Sequence, residues 1–217
     1  MFFVSSFFTR SIWMTKIKFC GLARACDIEA VNVLKPDYIG FVFAGKSRRY
    51  VTPGTAGALK RLLDPCIQAV GVFVNAPVES VAWMLKEGII DIAQLHGSED
   101  ETYIRQLRQL TNRPLIKAFR ADSGKDIDMA NDCSADYVLL DSGSGGTGTA
   151  FDWSLLKKIN RPYFLAGGLD PGNAGQVVSG FHPYAVDVSS GIETAGRKDR
   201  RKMEEFMSAV RSNRRYK

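Results

Sequence analysis

The sequence predicts an α/β chain folded as a single (β/α)8 TIM barrel. Three observations predict it. Short apolar runs ending in small or polar residues recur from Lys16 onward, each followed by an amphipathic stretch, and eight such units of about 20 to 30 residues fit a closed ring. The last two runs, inside Tyr163 to Gly191, are separated by fewer residues than any connection but a short helix allows, which is the spacing of a parallel βαβ unit. Both of these runs end in residues of little bulk, Gly167-Gly168 and Ser189-Ser190-Gly191, and paired exits of that kind on the last two strands are where such barrels bind phosphate.

The elements follow in order. The first strand is Ile17 to Cys20 and its helix Cys26 to Leu34. The second strand is Tyr38 to Phe43, with a helix from Pro53 to Leu63. The third is Ile67 to Val74, and Pro77 is expected at the first helical position of a helix running to Lys86. Strand four is Ile92 to His96, with a helix from Glu101 to Leu110. Strand five is Leu115 to Phe119, with a helix near Asp126 to Asn131. Strand six is Tyr137 to Asp141, with a helix from Trp153 to Ile159. Strands seven and eight lie in the Tyr163 to Gly191 stretch, around a short helix within Asn173 to Ser179. A helix is expected to follow each phosphate exit and add the positive end of its dipole, and Lys198 to Val210 closes the ring. An open doubly wound sheet is the alternative; eight equal units and the paired exits favour the barrel.

Composition narrows the function. The 217 residues suffice for one barrel, and 45% apolar with 24% charged residues is that of a globular core. No apolar run approaches the ~20 residues of a membrane helix, so no membrane is expected. The net charge of +6 sits wholly in residues 197–217, where nine basic residues face three acidic ones. A solvated helix face with a basic end accounts for this, and no nucleic acid is expected as a partner. Cys20, Cys26, Cys66 and Cys133 show no metal-ligand spacing, so reduced thiols, a cytoplasmic location and no metal are expected. Residues 1–14, with Phe2, Phe3, Phe7 and Phe8 among serines, lack a basic start before the apolar stretch; they read as an extension outside the fold, which occupies 15–217.

In a barrel, the chemistry sits at the C-terminal tips of the strands. Those tips offer Cys20, Asp141, the strand-four pair Gln94 and His96, and an arginine in the second loop. Cys20 precedes Gly21 and the next helix start, where a depressed thiol could serve as general base; the alternative is a small buried hydrophobe. Asp141 ends an apolar strand, where a partly desolvated carboxyl can act as general acid; the alternative is a turn or cap residue. Arg49 can grip a carboxylate with its guanidinium fork, and Arg48 is not separable from it by parity. Gln94 and His96 alternate on strand four and could both line the mouth, but a satisfied structural imidazole is the favoured reading of His96. The glycines of Gly143 to Gly148 formally match a dinucleotide motif, but they follow the sixth strand and no helix starts at them. They read as a lid in which Gly145 and Gly146 help hold phosphate.

Together these segments resemble the phosphoribosylanthranilate isomerase family. The resemblance is carried by Lys18-Phe19-Cys20-Gly21, the Gly40 to Phe43 run with Ser47-Arg48-Arg49-Tyr50-Val51, Gly71 to Asn75, Gln94-Leu95-His96-Gly97, Leu139-Leu140-Asp141, Gly145 to Gly148 with Phe151-Asp152-Trp153, Leu165 to Asn173 and Ala185 to Glu193. It spans about residues 16 to 211; Phe19 departs from the family's usual isoleucine. It implies an Amadori rearrangement of N-(5-phosphoribosyl)anthranilate in tryptophan biosynthesis, with Asp141 as acid and Cys20 as base. Arg49 would hold the substrate carboxylate, and Gly145, Gly146, Gly167, Gly168, Ser189 and Ser190 the phosphate. It implies no cofactor, a phosphosugar as the partner, and a monomer or homodimer. A histidine-pathway isomerase would have aspartate in place of Cys20 and a second phosphate grip in the first half. A non-catalytic sugar-phosphate binder is disfavoured by the Cys20/Asp141 pair.

Overall fold

The computed structural model describes residues 14–142 and 153–212. Eight parallel strands close into a barrel in sequence order: β1 (Lys16–Cys20), β2 (Tyr38–Val42), β3 (Gln68–Phe73), β4 (Ile92–Leu95), β5 (Leu115–Arg120), β6 (Tyr137–Asp141), β7 (Tyr163–Ala166) and β8 (Ala185–Val188). β8 returns to β1, pairing Val188 with Phe19. The helices outside are α1 (Ala25–Leu34), α2 (Pro53–Leu62), α3 (Val78–Lys86), α4 (Glu101–Leu110), α5 (Gly124–Asp132), α6 (Ala174–Phe181) and α7 (Arg200–Ser212).

Strand alternation divides the core in two. One face of each strand packs under the helices: Phe19, Ile39, Phe41, Val138 and Leu165 belong to that layer, and Phe19 meets Phe206 of α7 edge-on at 6.1 Å. The other face fills the barrel with Tyr38, Val70, Ile92, Ile116, Leu139, Phe164 and Ala185. Tyr38, Tyr137 and Tyr184 pack around Phe164, with the Lys16 ammonium over the Tyr38 and Tyr184 rings. The lower barrel is therefore solid, and open space remains at the C-terminal tips.

Side chains fix several helix starts. Thr52 Oγ1 accepts the Thr55 N–H ahead of Pro53 in α2, and Asp100 Oδ1 accepts the Tyr103 N–H in α4. Pro77, expected as the first helical residue, instead stands just before α3 with extended backbone (ψ 137°). The sixth helix is a 3₁₀ segment, Trp153–Lys158, rather than an α-helix. The final helix starts later than expected: residues 193–198 form a small antiparallel hairpin, β9 (Glu193–Thr194) and β10 (Arg197–Lys198), before α7. Positive φ at Ala195 and Gly196 turns it. After Ser189 comes one 3₁₀ turn, Ser190–Ile192, and the hairpin before α7, and α6 begins six residues beyond Gly168. Neither exit therefore carries a long helix dipole at its edge. Residues 1–13, Gly145 and Gly146 lie outside the described residues.

Candidate active site

A cavity of about 360 Å³ opens at the C-terminal tips. Cys20 and Asp141 both line it, from β1 and β6, which stand three places apart round the ring. Gln94 and His96 enter from β4, and Arg49 from the loop after β2. Gly167, Gly168, Ser189 and Ser190 form the wall after β7 and β8. All the described sequence-selected residues thus share one space.

The β1 exit depends on glycine. Gly21 has φ of 81°, and a Cβ there would overlap Arg49 Cδ, so the arginine stem crosses the turn directly after Cys20. At the other exit, a Cβ on Gly191 would collide with the Leu169 carbonyl oxygen. The β7 and β8 loops can approach only because that side chain is absent.

Three polar groupings each include at least one residue of the cavity lining. On β4, Gln94 Nε2 lies 2.8 Å from His96 Nδ1, and His96 Nε2 lies 3.3 Å from Asp141 Oδ2. The imidazole expected to be structural is therefore in contact with the candidate acid. Under Cys20, Lys18 Nζ donates to Asp187 Oδ2 at 2.7 Å, with the two side chains 0% and 7% exposed. Above it, Glu193 accepts from Arg49 Nε at 2.6 Å and Nη2 at 3.0 Å, from Arg48 Nη2 at 2.7 Å and from Lys198 Nζ at 2.8 Å. Lys198 also donates to the Ser189 carbonyl at 2.8 Å. Arg48 is 60% exposed and Arg49 22%, and of the two only Arg49 lines the cavity.

The charges have physical causes. Burial pushes the Cys20 thiol above its ordinary value of 9.0; Lys18 and Lys198 oppose this and Asp187 reinforces it. The depressed thiol expected from sequence is thus corrected: α1 begins five residues after Cys20, and burial outweighs the nearby cations. Burial also works against the Lys18 charge, but Asp187 and the Cys20 sulfur outweigh it and the ammonium is held above 10.5. Burial lowers Lys198 despite Glu193. Glu193 resists burial through hydrogen bonds from Arg49 and Lys198 and falls to about 2, so it is an anion at neutral pH.

Sequence reasoning missed Lys18, Asp187, Glu193 and Lys198. The first two carried a signal: Lys18 shares a strand face with Cys20, and Asp187 shares one with Ser189. Among the described residues, no group of three or more His, Cys, Asp or Glu side chains is placed to hold a metal, and no helix is long and apolar enough to cross a membrane.

Comparison with known proteins adds to this geometry. The family model described as N-(5'phosphoribosyl)anthranilate (PRA) isomerase matches residues 17–209. The chain belongs to this family. An N-(5'-phosphoribosyl)anthranilate isomerase of Endomicrobium trichonymphae is 45% identical over 203 residues, covering 92% of this chain and all of the relative. The crystal structure of the Thermus thermophilus phosphoribosyl anthranilate isomerase superposes with a TM-score of 0.82 at 33% identity, over 92% of this chain and 100% of the other. Another isomerase of the family, solved in complex with reduced 1-(o-carboxyphenylamino)-1-deoxyribulose 5-phosphate, gives 0.80 at 31% identity, with the same coverage. The chain is accordingly a phosphoribosylanthranilate isomerase of tryptophan biosynthesis, an intramolecular isomerase on a single (β/α)8 barrel.

Proposed function

We propose that the rearrangement runs on an acid–base pair, Asp141 and Cys20, placed on either side of one sugar phosphate. The observation that carries the proposal is that both side chains line a single cavity from strands three places apart, beside the small-residue exits of β7 and β8. Asp141 protonates the furanose ring oxygen, and the ring opens to a Schiff base. The Cys20 thiolate takes the proton from ribose C2, and the enolamine tautomerises to the ketone. No cofactor is required, because the imine accepts the electron pair. A thiol raised by burial is ionised in a small fraction of molecules near neutral pH, but its thiolate is the stronger base for being raised. Lys18, directly beneath, is the cation that meets it.

Binding divides between the ends of the substrate. Arg49 holds the anthranilate carboxylate. Gly167, Gly168, Ser189 and Ser190, with Gly145 and Gly146 of the loop outside the described residues, hold the phosphate through backbone N–H groups. Gln94 and His96 orient the acid. The phosphosugar is the partner in a cytoplasmic enzyme. No nucleic-acid role is proposed: within α7, Arg200 pairs with Glu204 and Arg201 with Glu205, which supports a solvated face.

The test is turnover by the purified protein, followed as loss of the anthranilate adduct's fluorescence, beside the twice-phosphorylated histidine-pathway substrate. Turnover of the first alone is expected. Preference for the second would overturn the substrate assignment.

A further inference from the structure

The geometry points to Glu193 as a positioning residue, which fixes the edge that Arg49 presents to the substrate carboxylate. The inference rests on Arg49 being the carboxylate grip. A guanidinium has two edges that can take a carboxylate side by side, Nε with Nη2 and Nη1 with Nη2. Glu193 occupies the first, at 2.6 and 3.0 Å. Among the described residues, Arg49 Nη1 makes no hydrogen bond. The free edge, Nη1 with Nη2, is therefore the one left for a ligand.

Three features make this a support rather than a surface ion pair. The Glu193 side chain is 4% exposed and charged at neutral pH, so it is a fixed acceptor. Its Oε1 also accepts from Lys198, which in turn donates to the Ser189 carbonyl and lies 3.3 Å from Ser189 Oγ. Arg49 is thus tied through Glu193 and Lys198 to the β8 phosphate exit. The Arg49 stem is pinned independently, where it crosses Gly21. With stem and head both held, the head loses little freedom when a carboxylate binds. Without Glu193 the head can turn, and the gain specific to the carboxylate falls.

The test compares two ligands by calorimetry: reduced 1-(o-carboxyphenylamino)-1-deoxyribulose 5-phosphate and its counterpart without the ring carboxylate. Their affinity ratio cancels changes at the phosphate end. In Glu193→Gln, which keeps shape and loses charge, and in Glu193→Ala, the ratio is expected to fall about tenfold or more, with the carboxylate-free ligand shifting less than threefold. In turnover, KM rises more than kcat falls. An unchanged or increased ratio in Glu193→Gln overturns the inference, as does parallel weakening of both ligands. Arg49→Ala separates the two layers. Loss of the ratio there, with retention in Glu193→Gln, removes only the positioning role. Retention in Arg49→Ala removes the carboxylate assignment beneath it. Should Glu193→Ala not fold, the isosteric glutamine variant, checked by circular dichroism, decides alone.

Discussion

Replacing Lys18 with methionine gives the sharpest stability prediction. Lys18 and Asp187 form an ion pair of 2.7 Å with side chains 0% and 7% exposed. Methionine fills much of the lysine volume but leaves the Asp187 carboxylate without its cation, and among the described residues Asp187 Oδ1 already lacks a hydrogen-bond partner. Removing one member of a buried pair costs about 3–5 kcal/mol, a large share of the roughly 5–15 kcal/mol that holds a domain folded. With a urea slope of about 1–3 kcal/mol/M, the midpoint should fall by at least 1 M. Lys18→Met/Asp187→Leu removes both charges and should recover most of the loss, since apolar replacement of a buried pair is often neutral or better. The Lys18 contribution has a defined pH window. Its folded value lies above 10.5, so the stabilisation is complete below about 10.5 and is lost only as pH rises through the folded value. Equilibrium urea unfolding of wild type, single and double variants at pH 7.5 is the assay. A single variant within about 1 kcal/mol of wild type, or a double as unstable as the single, would refute the reasoning.

Other consequences follow from the same contacts. Glu193 titrates near 2 in the fold against 4.5 ordinarily, so its contribution, at most ~3 kcal/mol, is present above about pH 4.5 and lost as pH falls toward 2; the stability gap between wild type and Glu193→Gln should narrow over that window, and a constant gap would contradict the assignment. Burial holds the Cys20 thiol above 9.0, so peptide-resolved alkylation of Cys20 should still be rising at pH 9, and a plateau near pH 7 would show a depressed thiol instead. Gly191→Ala puts a Cβ into the Leu169 carbonyl, so the β7 and β8 loops must part; a loss of about 1–3 kcal/mol in thermal or urea unfolding is expected, together with weaker binding of inorganic phosphate, and wild-type values of both would deny the close approach.

The barrel was legible in the chain because strand alternation, turn glycines and unit length all report on one architecture. β1 to β8 fall where apolar runs end in small or polar residues, and those ends are the cavity lining. Arg49 could be named only as one of two candidates, since loop residues carry no parity; burial separates it from Arg48. Lys198 was read as the start of the last helix because it continues the basic run of α7, whereas it closes the hairpin turned at Ala195 and Gly196. Lys198 was missed for that reason, and Glu193, in a loop after the last strand, had no partner in the sequence to mark it. The Cys20 environment was misjudged because nearness to a helix start was counted and burial was not. Lys18 and Asp187 stood on the correct strand faces, but a lysine inside a barrel becomes explicable only once its partner across the β1–β8 seam is known.

The most direct measurement of the acid–base account is kcat for Cys20→Ala and Asp141→Asn with N-(5-phosphoribosyl)anthranilate, each variant checked for folding and for binding of the reduced product analogue. The account predicts that both bind the analogue yet lose about 10²–10⁴ in kcat. Turnover within tenfold of wild type in either folded variant would contradict it.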